Sequence, residues 1–253
     1  MLLDIDHVAF ASSSVERDIE VFYTLGYKED FVETDIENLT IKRDFLRVFS
    51  EHHDISLLKA NGSISIELTN HKNIHVCYPY IIPIFENLPH GLAEHHHDKE
   101  SDHIGIEAKM KNFDMPVYLK HSQSTSQFKF NKLVIRTNNI LRSVNFFKIL
   151  GFRLVDKKDG LVMLEFKSLF SNNVYVLYLK KDDNNLIRYL DDNGPNCIAL
   201  ISNSIGVERE NLQSAGFHTT PIQRLTLNRK LIDVFFTRGP GNEIIEIISI
   251  GKN

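Results

Sequence analysis

The side chains best suited to chemistry in this 253-residue chain are its 12 histidines. Eleven of them fall in residues 1–126: His7, His52, His53, His71, His75, His90, His95, His96, His97, His103 and His121. Only His218 lies beyond. Imidazole binds metals and moves protons near neutral pH, and nearly all of it stands in the first half. The run His95-His96-His97 sits inside Glu94–Glu100, a polar stretch that reads as an exposed loop binding metals only adventitiously. His52-His53 reads as a turn before a strand, and His7 as the second residue of an apolar strand, half-buried. In the second half, Lys132, Arg136 and Arg224 could make a cleft receptive to an anionic ligand. Cys77 and Cys197 stand inside apolar runs in opposite halves, as buried reduced thiols would.

Charge divides the chain at the same point. Residues 1–126 carry 11 Lys/Arg against 21 Asp/Glu, and residues 127–253 carry 18 against 12. An evenly composed barrel would not divide so. No apolar run is long enough for a membrane span. The opening Met1-Leu2-Leu3-Asp4-Ile5-Asp6 lacks the basic start of a secretory signal, so the cytoplasm is the expected compartment. The mildly negative net charge of −4 and the absence of basic clusters interleaved with aromatics argue against nucleic-acid binding.

The elements that would position these residues emerge as a repeat. Asp6-His7-Val8-Ala9-Phe10 closing at Leu25-Gly26-Tyr27 recurs as Asn131-Lys132-Leu133-Val134-Ile135 closing at Leu150-Gly151-Phe152. It recurs again as Asn196-Cys197-Ile198-Ala199-Leu200 closing at Ala215-Gly216-Phe217. Constant offsets of 125 and 190 at both ends align the three without a gap. Each copy predicts a strand, a helix started by Ser/Thr/Asn side chains, and a glycine C-cap. Strand-rich stretches follow. In the first module these are Phe45–Phe49, Ile55–Leu58 and Ser63–Leu68, the last two joined by a turn at Asn61-Gly62. Each module is thus β-α-β-β-β. A degenerate copy opens at Asp102-His103-Ile104-Gly105-Ile106, with a short helix expected over 113–119 and no three-strand meander. The fold class is α+β. The expected units are 1–126 (module 1–72, partial module 100–124) and 127–253 (modules 127–182 and 192–253).

These openings, and the closing run Phe235-Phe236-Thr237-Arg238-Gly239-Pro240-Gly241-Asn242-Glu243-Ile244-Ile245-Glu246, resemble the vicinal oxygen chelate superfamily. That superfamily includes glyoxalase I, methylmalonyl-CoA epimerase, extradiol dioxygenases and bleomycin-resistance proteins. The resemblance implies paired modules forming eight-stranded cups. It also implies a divalent metal held by the second residue of a module's opening pentad and by a Glu in its last strand. Those positions are His7 and Glu67 in the first module and His103 in the partial one, with His75 as the alternative second histidine. In the later modules they are Lys132 with Tyr178, and Cys197 with Glu246. Lys132 would repel a cation, which places any metal in the first half. Lys132, Cys197 and Glu246 are then candidate ligand-binding residues, with Glu246 beside Cys197 a leftover ligand or a general base.

His7, Glu67 and His103 would form a two-His, one-carboxylate site suited to Fe, Mn, Zn or Ni. The implied function is a metal-dependent lyase, isomerase or epimerase acting on a small oxygenated substrate. The alternative is a metal-free protein that sequesters a small molecule, as the bleomycin-resistance type does. A homodimer could complete the first cup.

Overall fold

The computed structural model describes all residues except 77–79, 90, 102–103, 111–114, 121–126, 159, 185 and 251–253. Three ten-residue helices, α1 (Val15–Thr24), α2 (Ile140–Ile149) and α3 (Ile205–Ser214), each follow the opening strand of a repeat. Those strands are β1 (Leu2–Ala11), β9 (Lys129–Thr137) and β13 (Gly194–Ser202). The glycines after the helices, Gly26, Gly151 and Gly216, have φ of 84°, 84° and 82°. A side chain would be strained in that left-handed conformation, which explains why the glycine recurs at all three ends.

The strand-to-helix corner repeats as well, though not as simple capping. Of the residues just before the helices only Asn139 caps, accepting from Arg142 N, whereas Ser14 and Ser204 make no side-chain cap. The work passes to the hydroxyl two residues earlier. Ser12, Thr137 and Ser202 accept from the backbone N–H of Ser14, Asn139 and Ser204. Ser12 donates to Asp18 at 2.5 Å and Ser202 to Glu208 at 3.3 Å. The equivalent position in the other repeat is Ser143, and there Glu243 supplies the carboxylate from a different module.

The two sheets do not follow the 126/127 boundary. The first is ordered β14-β15-β16-β13-β1-β4-β3-β2. It joins β1, β2 (Lys28–Glu37), β3 (His52–Lys59) and β4 (Ser65–Asn70) to β13, β14 (Gln223–Leu227), β15 (Lys230–Arg238) and β16 (Ile244–Ile250). The second is ordered β10-β11-β12-β9-β5-β8-β7-β6. It joins β5 (Ile81–Glu86), β6 (Ala93–Ser101), β7 (Gly105–Met110) and β8 (Met115–Lys120) to β9, β10 (Arg153–Lys158), β11 (Leu161–Lys167) and β12 (Val174–Lys181). The outer modules therefore pair with each other, as do the inner ones. One apolar core holds residues of both sheets and all three helices, among them Phe10, Phe22, Phe85, Phe130, Phe146 and Leu212.

The second module differs from expectation throughout. Its opening strand is β5, and its three-strand meander is present as β6–β8. What it lacks is the helix, for only residues 87–92 join β5 to β6. Met115–Lys120 is a strand, not a short helix. Ala93–Ser101 is the edge strand of its sheet, not a loop, and charged residues suit an edge. In the first module, Thr40–Phe45 is a 3-10 turn where a strand had been expected from Phe45, and β2 takes that strand's place. His52 and His53 lie on β3, not in a turn. Among the described residues, no helix is long and apolar enough to cross a membrane.

Candidate functional site

Strand register brings four residues to the concave face of the first sheet. β1 and β13 run antiparallel, with Ala9 opposite Cys197 and His7 opposite Ala199. β4 lies parallel to β1 and sets Glu67 beside Ala9. β16 lies parallel to β13 and sets Glu246 beside Ala199. The pleat sends alternate residues to one face, so His7, Glu67, Cys197 and Glu246 share it. Val8 and Phe10 point the other way, into the main core. Ala9 and Ala199, small residues at the centre, leave room between the four.

The same register runs through the second sheet. There Ile82 pairs with Val134 and Ile84 with Lys132, while Tyr118 lies beside Ile84 and Tyr178 beside Val134. The equivalent four residues are Ile82, Tyr118, Lys132 and Tyr178. Lys132 is ion-paired to Glu86 inside this cup. The second cup thus carries no equivalent donor set.

His7 is the centre of the first cup. It is 5% exposed, and its Nδ1 lies 2.8 Å from Asp6 Oδ2, which turns Nε2 toward the cup. Nε2 is buried and has no hydrogen-bond partner. It stands 3.5 Å from Glu67 Oε2 and 3.6 Å from Glu246 Oε2, beyond hydrogen-bond length. Burial opposes the His7 cation, but Glu67, Asp6 and Glu246 outweigh it and hold the imidazole well above its ordinary pKa. Burial pushes the Glu67 carboxyl up, and the Glu246 charge adds to this against the pull of His7 and Lys42. Thr69 Oγ1 donates to the other Glu67 oxygen at 3.2 Å. Cys197 is a free, buried thiol, held well above its ordinary value by burial and then by Glu246 and Glu67.

The donor set fits a divalent cation. Ligand atoms about 2.1 Å from one tetrahedral ion stand about 3.4 Å from each other, close to the spacing of Nε2 from its two carboxylates. The carboxylate on Nδ1 is the usual outer partner of a ligating histidine. Among the described residues no three His, Cys, Asp or Glu side chains are placed to hold an ion as they stand. Glu67, Glu246 and Cys197 would have to turn toward Nε2 to do so.

Three further residues reach this face, and the histidine count alone did not single them out. Lys42, on the 3-10 turn, is buried with Nζ 5.8 Å from the Phe236 ring centre, and Phe236 is the register partner of Glu246. His53 and His71 stack at 5.5 Å between centroids. Both are 2% exposed. Parity was the available signal: 53, 55 and 57 on β3, and 67, 69 and 71 along and just beyond β4, fall on the Glu67 side. Leu39, Phe45, Leu46 and Leu190 roof the cup with apolar side chains. The backbone N–H of Leu190 bonds to Phe45 O, and those of Arg47 and Val48 bond to the Asp191 carboxylate.

Of the other expected site residues, His103 lies outside the described residues, as does Cys77. His75 does not open a module strand. It forms an isolated parallel bridge with Asp192 outside the named strands. Arg224 is exposed and paired with Asp233.

No family model matches the sequence, and no curated protein matches it. Solved structures do match its fold. Glyoxalase I from Zea mays aligns at 14% identity over 97% of this chain and 92% of its own, with a TM-score of 0.60. Its V278E mutant aligns at 16% over the same shares, with a TM-score of 0.61. A provisionally assigned dioxygenase from Bacillus subtilis aligns at 11% over 100% of this chain and 86% of its own, with a TM-score of 0.64. The chain has the fold of the vicinal oxygen chelate superfamily.

Proposed function

We propose that the cup formed by the first and fourth modules is a divalent-metal site. In this reading the protein is a lyase, isomerase or epimerase acting on a small oxygenated substrate. The observation that carries it is the register: the first and fourth modules gather Glu67, Cys197 and Glu246 about one buried, unpartnered imidazole nitrogen, Nε2 of His7. The expectation of a site made within residues 1–126 gives way to one shared by both ends of the chain. A nitrogen, a sulfur and two carboxylates favour Zn over Mn among the metals considered, with Cys197 giving up its proton on binding. When bound, the ion would act as a Lewis acid toward substrate oxygens. Glu67 and Glu246 would supply the carboxylate oxygens to the ion, and Asp6 holds the His7 ring.

A second reading has its own support. Asp6, Glu67 and Glu246 already balance a protonated His7, and the roof fills the cup, so a metal-free small-molecule-binding protein of the bleomycin-resistance type is the alternative. Elemental analysis of untagged protein separates the two. The enzyme reading expects about one tightly held divalent ion per chain, lost in His7→Ala. Metal content near zero after growth and dialysis with Zn2+ would overturn it and favour the second reading.

A further inference from the structure

Glu37 and His52 are register partners on β2 and β3, yet the chain between them runs through residues 38–51. The corresponding hairpins of the other modules use only residues 102–104, 159–160 and 228–229. Hairpin loops commonly run about 2–5 residues, and much longer ones are mostly functional. The base of the long loop is closed. Asn38 N donates to Glu51 O at 2.7 Å, and Asn38 Nδ2 donates to Ser50 O at 3.1 Å. A chain that leaves and returns at one point, packed by its own side chains, is an Ω-loop. Leu39, Phe45 and Leu46 of this loop pack in one cluster with Ala9 and Cys197 of the first cup.

The far end of the loop is held by the 182–193 linker between β12 and β13. The fully buried Asp191 carboxylate accepts from Arg47 N at 3.0 Å and from Val48 N at 3.1 Å. Arg47 Nε donates to Asp192 at 2.8 Å, and its guanidinium lies 4.5 Å from the Tyr189 ring centre. Leu190 N donates to Phe45 O at 2.7 Å, and Arg238 Nη2 to Asp44 O at 3.1 Å. The linker itself is fixed to the frame. Asn196 Nδ2 donates to Leu190 O and Asp192 O, His75 N to Asp191 O, and Asn193 N to His75 O. The linker is therefore the catch, and the loop is the part free to swing. A buried carboxylate that loses its donors must be hydrated, so Asp191 holds the loop tip or releases it to water as a whole.

We propose that residues 38–51 are a hinged lid over the first cup, turning about the Asn38–Glu51 base and latched at its tip by Asp191. With the lid seated, His7 and Cys197 are only 5% and 1% exposed, so an ion or a small molecule enters while it is raised. The lid serves either reading of the cup, and only its effect on an ion rests on the metal-site reading above.

Hydrogen exchange of the unaltered, metal-free chain tests this without any variant. The Arg47, Val48 and Leu190 amides should exchange together, about tenfold or more faster than those of β1 and β13, while the Asn38 amide at the base keeps its protection. Cys197 beneath the lid gives a second readout, taken in Cys77→Ser so that one thiol reports. Its labelling by a neutral pyridyl disulfide below the unfolding transition should barely depend on urea, because raising a loop exposes little surface. Asp191→Ala should speed that labelling about tenfold, still without urea dependence. Exchange of Arg47 and Val48 only with the whole molecule, loss of Asn38 protection along with theirs, labelling that follows global unfolding, or a rate unchanged in Asp191→Ala would each overturn the lid. If Asp191→Ala does not fold, exchange in the unaltered chain decides. Zn2+ loaded beforehand should pass to EDTA faster in Asp191→Ala by the same factor. Absence of Zn2+ uptake with the lid motion intact overturns the metal reading alone, and uptake without the motion overturns the lid alone.

Discussion

His7 and Glu246 come from opposite ends of the chain, and Nε2 of the first lies 3.6 Å from Oε2 of the second. This contact exists because the first module pairs with the fourth and not with its sequence neighbour. It separates two versions of the site. A site confined to the first half loses its metal in His103→Ala and is indifferent to Glu246. The site shared between outer modules predicts that Glu246→Gln weakens Zn2+ binding at least tenfold, read by competition with a chromophoric chelator. Affinity unchanged in Glu246→Gln would return the site to the first half.

Why the pairing escaped the sequence is a matter of what apolar periodicity encodes. β1, β9 and β13 were visible because each alternation is followed by a helix and a glycine at fixed offsets. Nothing in such a strand names the strand it will lie against. β5 was hidden for another reason: Pro83 sits in the middle of a strand flanked by β8 and β9, where a missing N–H normally argues against a central place. With its helix also gone, the second module left only Ile104–Ile106 as a visible echo. His7 and Glu67 were legible through the family resemblance of their module. Cys197 and Glu246 stand at the matching positions of the fourth module and read as ligand-binding residues, not metal ligands, because the sequence does not show that this module lies against the first. Lys42 reaches the cup from an irregular turn, which no periodicity predicts.

Asp6 acts on His7 through a hydrogen bond of 2.8 Å to Nδ1. Removing the carboxylate charge should loosen the ring and weaken Nε2 as a ligand. Asp6→Asn is expected to lower Zn2+ affinity by about 10–100-fold, with the melting temperature of the metal-free protein reported alongside. An unchanged affinity would remove Asp6 from the site.

His53 makes stability depend on pH. Burial first, then the charge of Lys42 and the neighbouring His71, push its imidazole down to about 2. An unfolded histidine titrates near 6.5. Between these values the unfolded chain binds a proton that the folded chain refuses, so stability rises with pH across this window. It is complete above about 6.5 and falls as the pH drops, by up to about 1.4 kcal/mol per unit for this group. The urea midpoint should therefore decline from pH 7 to pH 5, and His53→Gln should flatten the decline. Parallel slopes for the two proteins would show that His53 titrates normally.

Glu243 links the modules from the inside. It is fully buried, accepts from Gly241 N at 2.8 Å and from Ser143 Oγ at 3.1 Å, and burial raises its carboxyl. A methyl group added at Gly239 or Gly241 would come within 3 Å of its oxygens, so the Gly239-Pro240-Gly241 turn is shaped around it. Glu243→Ala removes the acceptor of the half-buried Gly241 N–H, while Ser143 Oγ keeps its contact with Thr137 Oγ1 at 2.8 Å, so the cost is that of one lost bond plus the emptied space, about 1–3 kcal/mol. For a chain of this size that lowers the melting temperature by about 2–12 °C. Asp18 stands at the equivalent corner of α1, but it also pairs with the exposed Arg17, which water can solvate once the carboxylate is gone. Asp18→Ala should therefore cost less than Glu243→Ala. Equal melting temperatures for the two variants would show that the borrowed carboxylate is no more than a local cap.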